Sequence, residues 1–174
     1  MGLDIRAVSG LEKCSLQSED VYNKYDNCTH LFANDILFNQ SCGLSGYYLY
    51  EGESISFRAG SYSSYSRWRE MLAEMMGYPN TKLLYDSITR ELTISDVLDE
   101  KSNYTSFIEL ICLSDCEGTI GTNISRKLYD DFVNYKEDAV KYAESKDNKD
   151  WLSLYDDFTE AFRIASDNGC VQFC

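Results

Sequence analysis

The sequence predicts a single α+β domain over residues 1–174, with a mainly antiparallel sheet, one central helix and a C-terminal antiparallel helix pair. Three observations carry this. Short alternating apolar segments stand near both ends, as in Leu3, Ile5 and Ala7 around Asp4 and Arg6. From Tyr65 to Met76 the apolar residues fall at 65, 68, 71, 72, 75 and 76, one face of a helix. After residue 121, two further helical stripes follow one another across a short polar link.

Taken in order, residues 3–7 form a first strand, and residues 11–40 form an irregular excursion anchored by Tyr22, Tyr25, Leu31, Phe32, Ile36, Leu37 and Phe38. Gly43 to Gly46 is a turn, and Tyr47 to Tyr50 with Ile55 to Arg58 is a strand pair around Glu51-Gly52-Glu53. The helix at Tyr65 to Met76 stops at Gly77, with Pro79 just beyond. Lys82 to Tyr85 and Glu91 to Ile94 are expected as a hairpin across Asp86 to Arg90. The near-continuous apolar run Phe107 to Leu113 is expected as a central strand covered on both faces. A stripe of Ile124, Leu128, Phe132, Tyr135, Ala139 and Tyr142 predicts one helix of about five turns with Thr122 as N-cap. The stripe Trp151, Leu154, Tyr155, Phe158, Ala161, Phe162 and Ala165 predicts its partner. Asn168-Gly169 ends that partner, and Cys170 to Phe173 closes as a strand.

Composition sets the classes. The chain has 174 residues, 44% hydrophobic and 14% aromatic with fourteen tyrosines, which is ordered globular composition despite a net charge of −13. Such acidity argues against direct nucleic-acid binding, because only the short stretch around Arg58 is basic. A basic protein partner or a small anionic ligand is expected. No 18-residue apolar run and no signal-peptide pattern occur, so a cytoplasmic protein without a membrane span is expected. Seven cysteines, an odd number, read as free thiols. Cys28-x-His30 and the two C-x3-C pairs lack finger spacing, so neither metal nor cofactor is expected.

The basic stretch is the first candidate site. Arg58, a Gly-Ser turn, Ser61 and Ser63, then Arg67 and Arg69 at a helix start form an arrangement that holds anions on free backbone N–H groups and guanidinium forks. Tyr62, Tyr65 and Trp68 add flat apolar walls. A plain helix cap with arginines paired to the protein's own carboxylates fits the same residues. The second candidate is Asp115-Cys116-Glu117-Gly118, where Asp115 and Glu117 are suited to acid–base work or to facing the arginines as the negative half of a mixed-charge site. The acidic helices, with Asp130, Asp131, Glu137, Asp138, Glu144, Asp147, Asp150, Asp156, Asp157 and Glu160, are the third, as a surface that imitates nucleic acid. No GxxxxGK[ST], GxGxxG or HExxH is present, and the single histidine, His30, has no nucleophile motif beside it. The arginine and Ser-x-Ser of ADP-ribosyltransferases lie on separate strands, whereas Arg58 and Ser61 share one turn. Catalytic residues are therefore not assigned.

Met1-Gly2-Leu3-Asp4-Ile5, Phe57-Arg58-Ala59-Gly60-Ser61-Tyr62-Ser63 with Trp68-Arg69, Ser114-Asp115-Cys116-Glu117-Gly118 with Ile120-Gly121, and Ala165-x-Asp167-Asn168-Gly169 together resemble a group of small phage and prophage proteins. The likeness spans most of the chain outside residues 11–45 and 80–105. It implies a phage setting, and that the Arg58 stretch and the Asp115 loop belong together. The function expected is a phage accessory protein that counters a host defence by occluding a host protein or sequestering a nucleotide-like anion; the alternative is a small enzyme using Asp115 and Glu117.

Overall fold

The structure, a computed structural model, describes residues 2–15, 24–33, 41–78, 105–113 and 118–174. Its strands are β1 (Gly2–Val8), β2 (Leu11–Lys13), β3 (Cys28–Leu31), β4 (Gly46–Tyr50), β5 (Ser54–Ser61), β6 (Gly118–Gly121) and β7 (Cys170–Phe173). The helices are α1 (Tyr62–Met75), α2 (Ile108–Ile111), α3 (Thr122–Asn134), α4 (Lys136–Lys146) and α5 (Lys149–Ala165). One sheet has the order β5-β1-β7-β6 and a smaller one the order β2-β4-β3, and every pairing is antiparallel. This is the expected α+β architecture with its antiparallel sheet and C-terminal helices.

Period-two alternation decides which side of the larger sheet each residue serves. Leu3, Ile5 and Ala7 of β1, Ile120 of β6, and Val171 and Phe173 of β7 join the main core beneath the helices. Helix α5 lies over the sheet and touches β1, β5 and β7, with α3 packed beside it. Phe158, Phe162, Tyr155, Phe132 and Phe107 pack there with Trp68, Trp151 and Phe173 through stacked, tilted and edge-to-face ring contacts. The opposite side carries Val8 and Cys170, which pack with Leu31 and Tyr48 of the smaller sheet. Polar contacts tie the two sheets. Thr29 donates to Gln172 Oε1 at 2.6 Å, Gln172 donates to the His30 carbonyl at 2.9 Å, and the Arg6 guanidinium bonds the Tyr50 hydroxyl.

Several segments depart from the sequence expectations. The strand pair around Glu51 to Glu53 is not formed: β4 and β5 lie in different sheets, and residues 51–53 cross between them. That crossing is hydrogen-bonded instead to Ser9-Gly10, the corresponding crossing from β1 to β2, which runs antiparallel to it, through Ser9 N to Glu53 O at 3.0 Å and Gly52 N to Ser9 O at 3.1 Å. A Cβ on Gly52 would lie 2.2 Å from Ser9 Oγ, so the close approach requires glycine. His30, expected in irregular chain, sits in β3.

Phe107 to Leu113 is not a central strand. Phe107 has φ +59°, and Ile108–Ile111 form a buried helical turn. A short apolar run has no periodicity that separates a buried strand from a buried helix. Polar partners favour the turn. The Asp131 carboxylate accepts the Phe107 N–H at 2.8 Å, Lys127 bridges Asp131 and Glu109 at 2.9 and 2.6 Å, and Arg69 donates to the Ile111 carbonyl at 2.8 Å.

The expected five-turn helix is two helices, broken at Tyr135 with φ −100° and ψ 12°. Its N-cap is Gly121, while Thr122 donates its hydroxyl to the Gly169 carbonyl at 2.9 Å. Gly121 is fixed by packing, since a Cβ there would lie 2.4 Å from the Ser41 carbonyl oxygen. The hairpin expected within residues 82–94 lies outside the described residues. No helix among the described residues is long and apolar enough to cross a membrane.

Candidate functional site

The basic stretch folds as a bulged strand end running straight into a helix. Leu3 pairs with Gly60 but Asp4 pairs with Arg58, so Ala59 is the extra residue of a β-bulge, and Gly60 takes φ +95°. Ala59 turns into the core. The chain then starts α1 with no linker: Ser61 is extended and its hydroxyl accepts the Ser64 N–H at 3.1 Å. The Ser63 and Ser64 hydroxyls lie 2.9 and 2.8 Å from the same oxygen. Thus Ser61 serves first as a helix cap.

The three arginines have different surroundings. Arg58 is exposed, and among the described residues its guanidinium has no carboxylate partner, although the chain is strongly acidic. Its side chain lies across Gly2, where a Cβ would fall 2.1 Å from Nη2, so the glycine at position 2 makes room for it. Arg67 is exposed and pairs with Glu70 at 3.2 Å. Arg69 is 1% exposed and turns into the core; it caps the end of α2 through the Ile111 carbonyl and lies 4.9 Å from the centre of the Tyr65 ring. Arg69 Nε and the Tyr65 hydroxyl are buried without a hydrogen-bond partner among the described residues. Burial raises the Tyr65 pKa, with the Arg69 charge acting against it.

A groove of about 630 Å³ runs between the start of α1 and the first half of α5. Arg58, Ser63, Arg67 and Trp68 of the predicted set line it; Ser61, Tyr62, Tyr65 and Arg69 do not. Its apolar floor includes Trp68, Met71, Trp151 and Leu154. The two tryptophans lock the walls together, each indole N–H donating to the other's main-chain carbonyl. The opposite wall carries Asn148, Asp150, Ser153 and Asp157. Asn148 is also the N-cap of α5, accepting the Trp151 N–H at 2.9 Å.

A mixed-charge groove is therefore present, and its negative wall comes from α5. Asp115 and Glu117, the carboxylates expected there, lie outside the described residues. Asp150 and Asp157 were visible in the sequence only as part of an acidic surface. The signal that finds them is their spacing: 150, 154 and 157 fall on one helical face together with the floor residue Leu154. Asp157 is half-buried and has no hydrogen bond or ion pair among the described residues. Burial, and then the neighbouring Asp156, raises its pKa.

The cysteines among the described residues add no second centre. Among the described residues, no three His, Cys, Asp or Glu side chains gather closely enough to hold a metal. Cys112 and Cys170 are pushed up to about 11 and about 12 by burial, which keeps both as unreactive thiols. Compared with known proteins, the chain matches no family model, no curated protein and no solved structure.

Proposed function

We propose that this is a phage accessory protein that acts by binding, and that it counters a host defence by sequestering a small anionic, nucleotide-like ligand in the groove between α1 and α5. The observation that carries this reading is Arg58: an exposed guanidinium at the rim of a groove, without a carboxylate partner among the described residues of a chain of net charge −13. An arginine kept free of internal pairing is available to an external anion. Ser63, Ser64 and Arg67 line the same side, and the tryptophan floor gives a ligand apolar contact. The phage setting rests on the resemblance of the Gly2, Arg58, Gly118 and Ala165 stretches described above.

Arg58→Ala tests the reading. Native-state binding raises apparent stability, so a screen of nucleotides by thermal unfolding identifies ligands. The variant is expected to lose at least tenfold in affinity while its unfolding temperature without ligand is unchanged. A shift that persists in Arg58→Ala rules out this site.

A second reading is favoured by the helical surface. Asp130, Glu137, Glu144, Asp147 and Asp150 have no cationic partner among the described residues, which suits a decoy that occupies a basic groove of a host protein. Charge reversal at Asp130, Glu137 and Glu144, none of which lines the Arg58 groove, abolishes activity under this reading and leaves it intact under the first.

A further inference from the structure

The α5 wall narrows the chemistry of the ligand. An anion entering beside Arg58 and Arg67 meets Asp150 and Asp157 on the opposite side of the same groove. A second anionic group there would be repelled, and a hydrogen-bond donor would be attracted. Asp157 is the sharper of the two. It is half-buried, its neighbour on α5 is another carboxylate, Asp156, and that carboxylate is itself paired to Lys136. No lysine or arginine among the described residues neutralises Asp157, and burial already disfavours its charge. A side chain so placed lowers stability unless a donor reaches it.

We propose that Asp157 is the specificity-determining residue of the groove: it accepts hydrogen bonds from hydroxyl or amine groups of a ligand whose single anionic group is held on the Arg58 side, and it excludes polyanions. This rests on the anion-binding reading above and deepens it. The ligand class is a phosphate monoester of a sugar or nucleoside, not a polyphosphate. Asp150, exposed at the mouth, adds to the exclusion of a second charge.

The test uses the full chain with two probes, adenosine monophosphate and adenosine triphosphate, titrated calorimetrically into the wild type, Asp157→Asn and Arg58→Ala. Asp157 has no partner to lose among the described residues, so the asparagine variant is expected to fold; its unfolding curve checks this. The wild type is expected to prefer the monophosphate. Asp157→Asn should weaken monophosphate binding about tenfold, the loss of bonds to a charged acceptor, and strengthen triphosphate binding about tenfold, the relief of one like charge at close range. Arg58→Ala should weaken both. If Asp157→Asn leaves the preference within about twofold of the wild type while Arg58→Ala still weakens both probes, the donor-pairing proposal is overturned and the anion site stands. If neither probe binds the wild type or Asp157→Asn, both are overturned.

Discussion

Trp68 and Trp151 are held by a reciprocal pair of hydrogen bonds, Trp68 Nε1 to Trp151 O at 3.1 Å and Trp151 Nε1 to Trp68 O at 3.2 Å, with ring centres 6.2 Å apart. Both side chains are 3% exposed. Each bond fixes a side chain of one helix to the main chain of the other, so α1 and α5 are set at one spacing, and the groove with them. Alanine at either position should cost about 3–5 kcal/mol in urea unfolding. Since the two contacts share partners, the double variant should lose clearly less than the sum of the two single losses. Full additivity would show that the pair does not act as a unit.

Gly60 and Gly2 should respond differently to alanine. Gly60 has φ +95°, and a Cβ would press on Ser64 Cβ at 3.1 Å, so Gly60→Ala should lower stability by about 1–2 kcal/mol. At Gly2 the clash is with the end of the flexible Arg58 side chain. Gly2→Ala should therefore change stability by less than about 0.5 kcal/mol while moving the guanidinium and altering ligand affinity. Unfolding and binding measured on the same two proteins separate backbone strain from side-chain displacement.

Arg69→Met should leave ligand binding at the groove unchanged and lower stability by about 1–3 kcal/mol, because the Ile111 carbonyl at the buried end of α2 loses its donor. Loss of binding in this variant with stability retained would return Arg69 to the ligand site.

Stability should fall on acidification through three carboxylates. Glu53 and Glu160 are lowered below the ordinary 4.5 chiefly by hydrogen bonds from Arg163, and Glu74 by those from Lys146 and Tyr142. With folded values below unfolded ones, their contribution is complete above the unfolded value and is lost as pH falls through the folded ones. The urea midpoint should thus decline below pH 4.5, and Arg163→Ala should flatten that decline. Asp157 has the opposite sign: its raised value means that its ionisation weakens the fold as pH rises. Asp157→Asn should therefore be slightly more stable than the wild type at neutral pH, the trade-off that the proposed binding role of Asp157 requires.

Where residues had one environment, the sequence revealed it. Leu3, Ile5 and Ala7 all face the helices from one side of the sheet, so their alternation predicted β1; the spacing from Tyr65 to Met76 predicted α1. Failures came where partners distant in sequence decide. Nothing within Phe107 to Leu113 indicates that Asp131 and Arg69 will bond its two ends and hold it as a helical turn. Ile55 to Arg58 pairs with β1, not β4, because the crossing at Gly52 is bonded to Ser9. Arg69 was legible but misplaced: with Tyr65, Leu72 and Met76 it lies on the apolar face of α1, so the helical spacing itself puts that charge inside. The α5 wall is hidden in the sequence because its two carboxylates stand among many others on the last helices; only the spacing that puts Asp157 on one face with Leu154 sets it apart.

The position of β7 bears on how the chain is made. β7 lies between β1 and β6, so Ile5 and Ala7 reach their second neighbours only at Phe173 and Val171. During translation β1 leaves the ribosome before the other strands of its sheet and can pair with β5 ahead of β7, but its other edge stays open until Cys170 to Phe173 have been synthesised. Pairings between residues so far apart in sequence form slowly, and an open strand edge invites pairing with other chains. That edge of β1 is therefore open to mispairing until β7 has emerged, and only then does the sheet close.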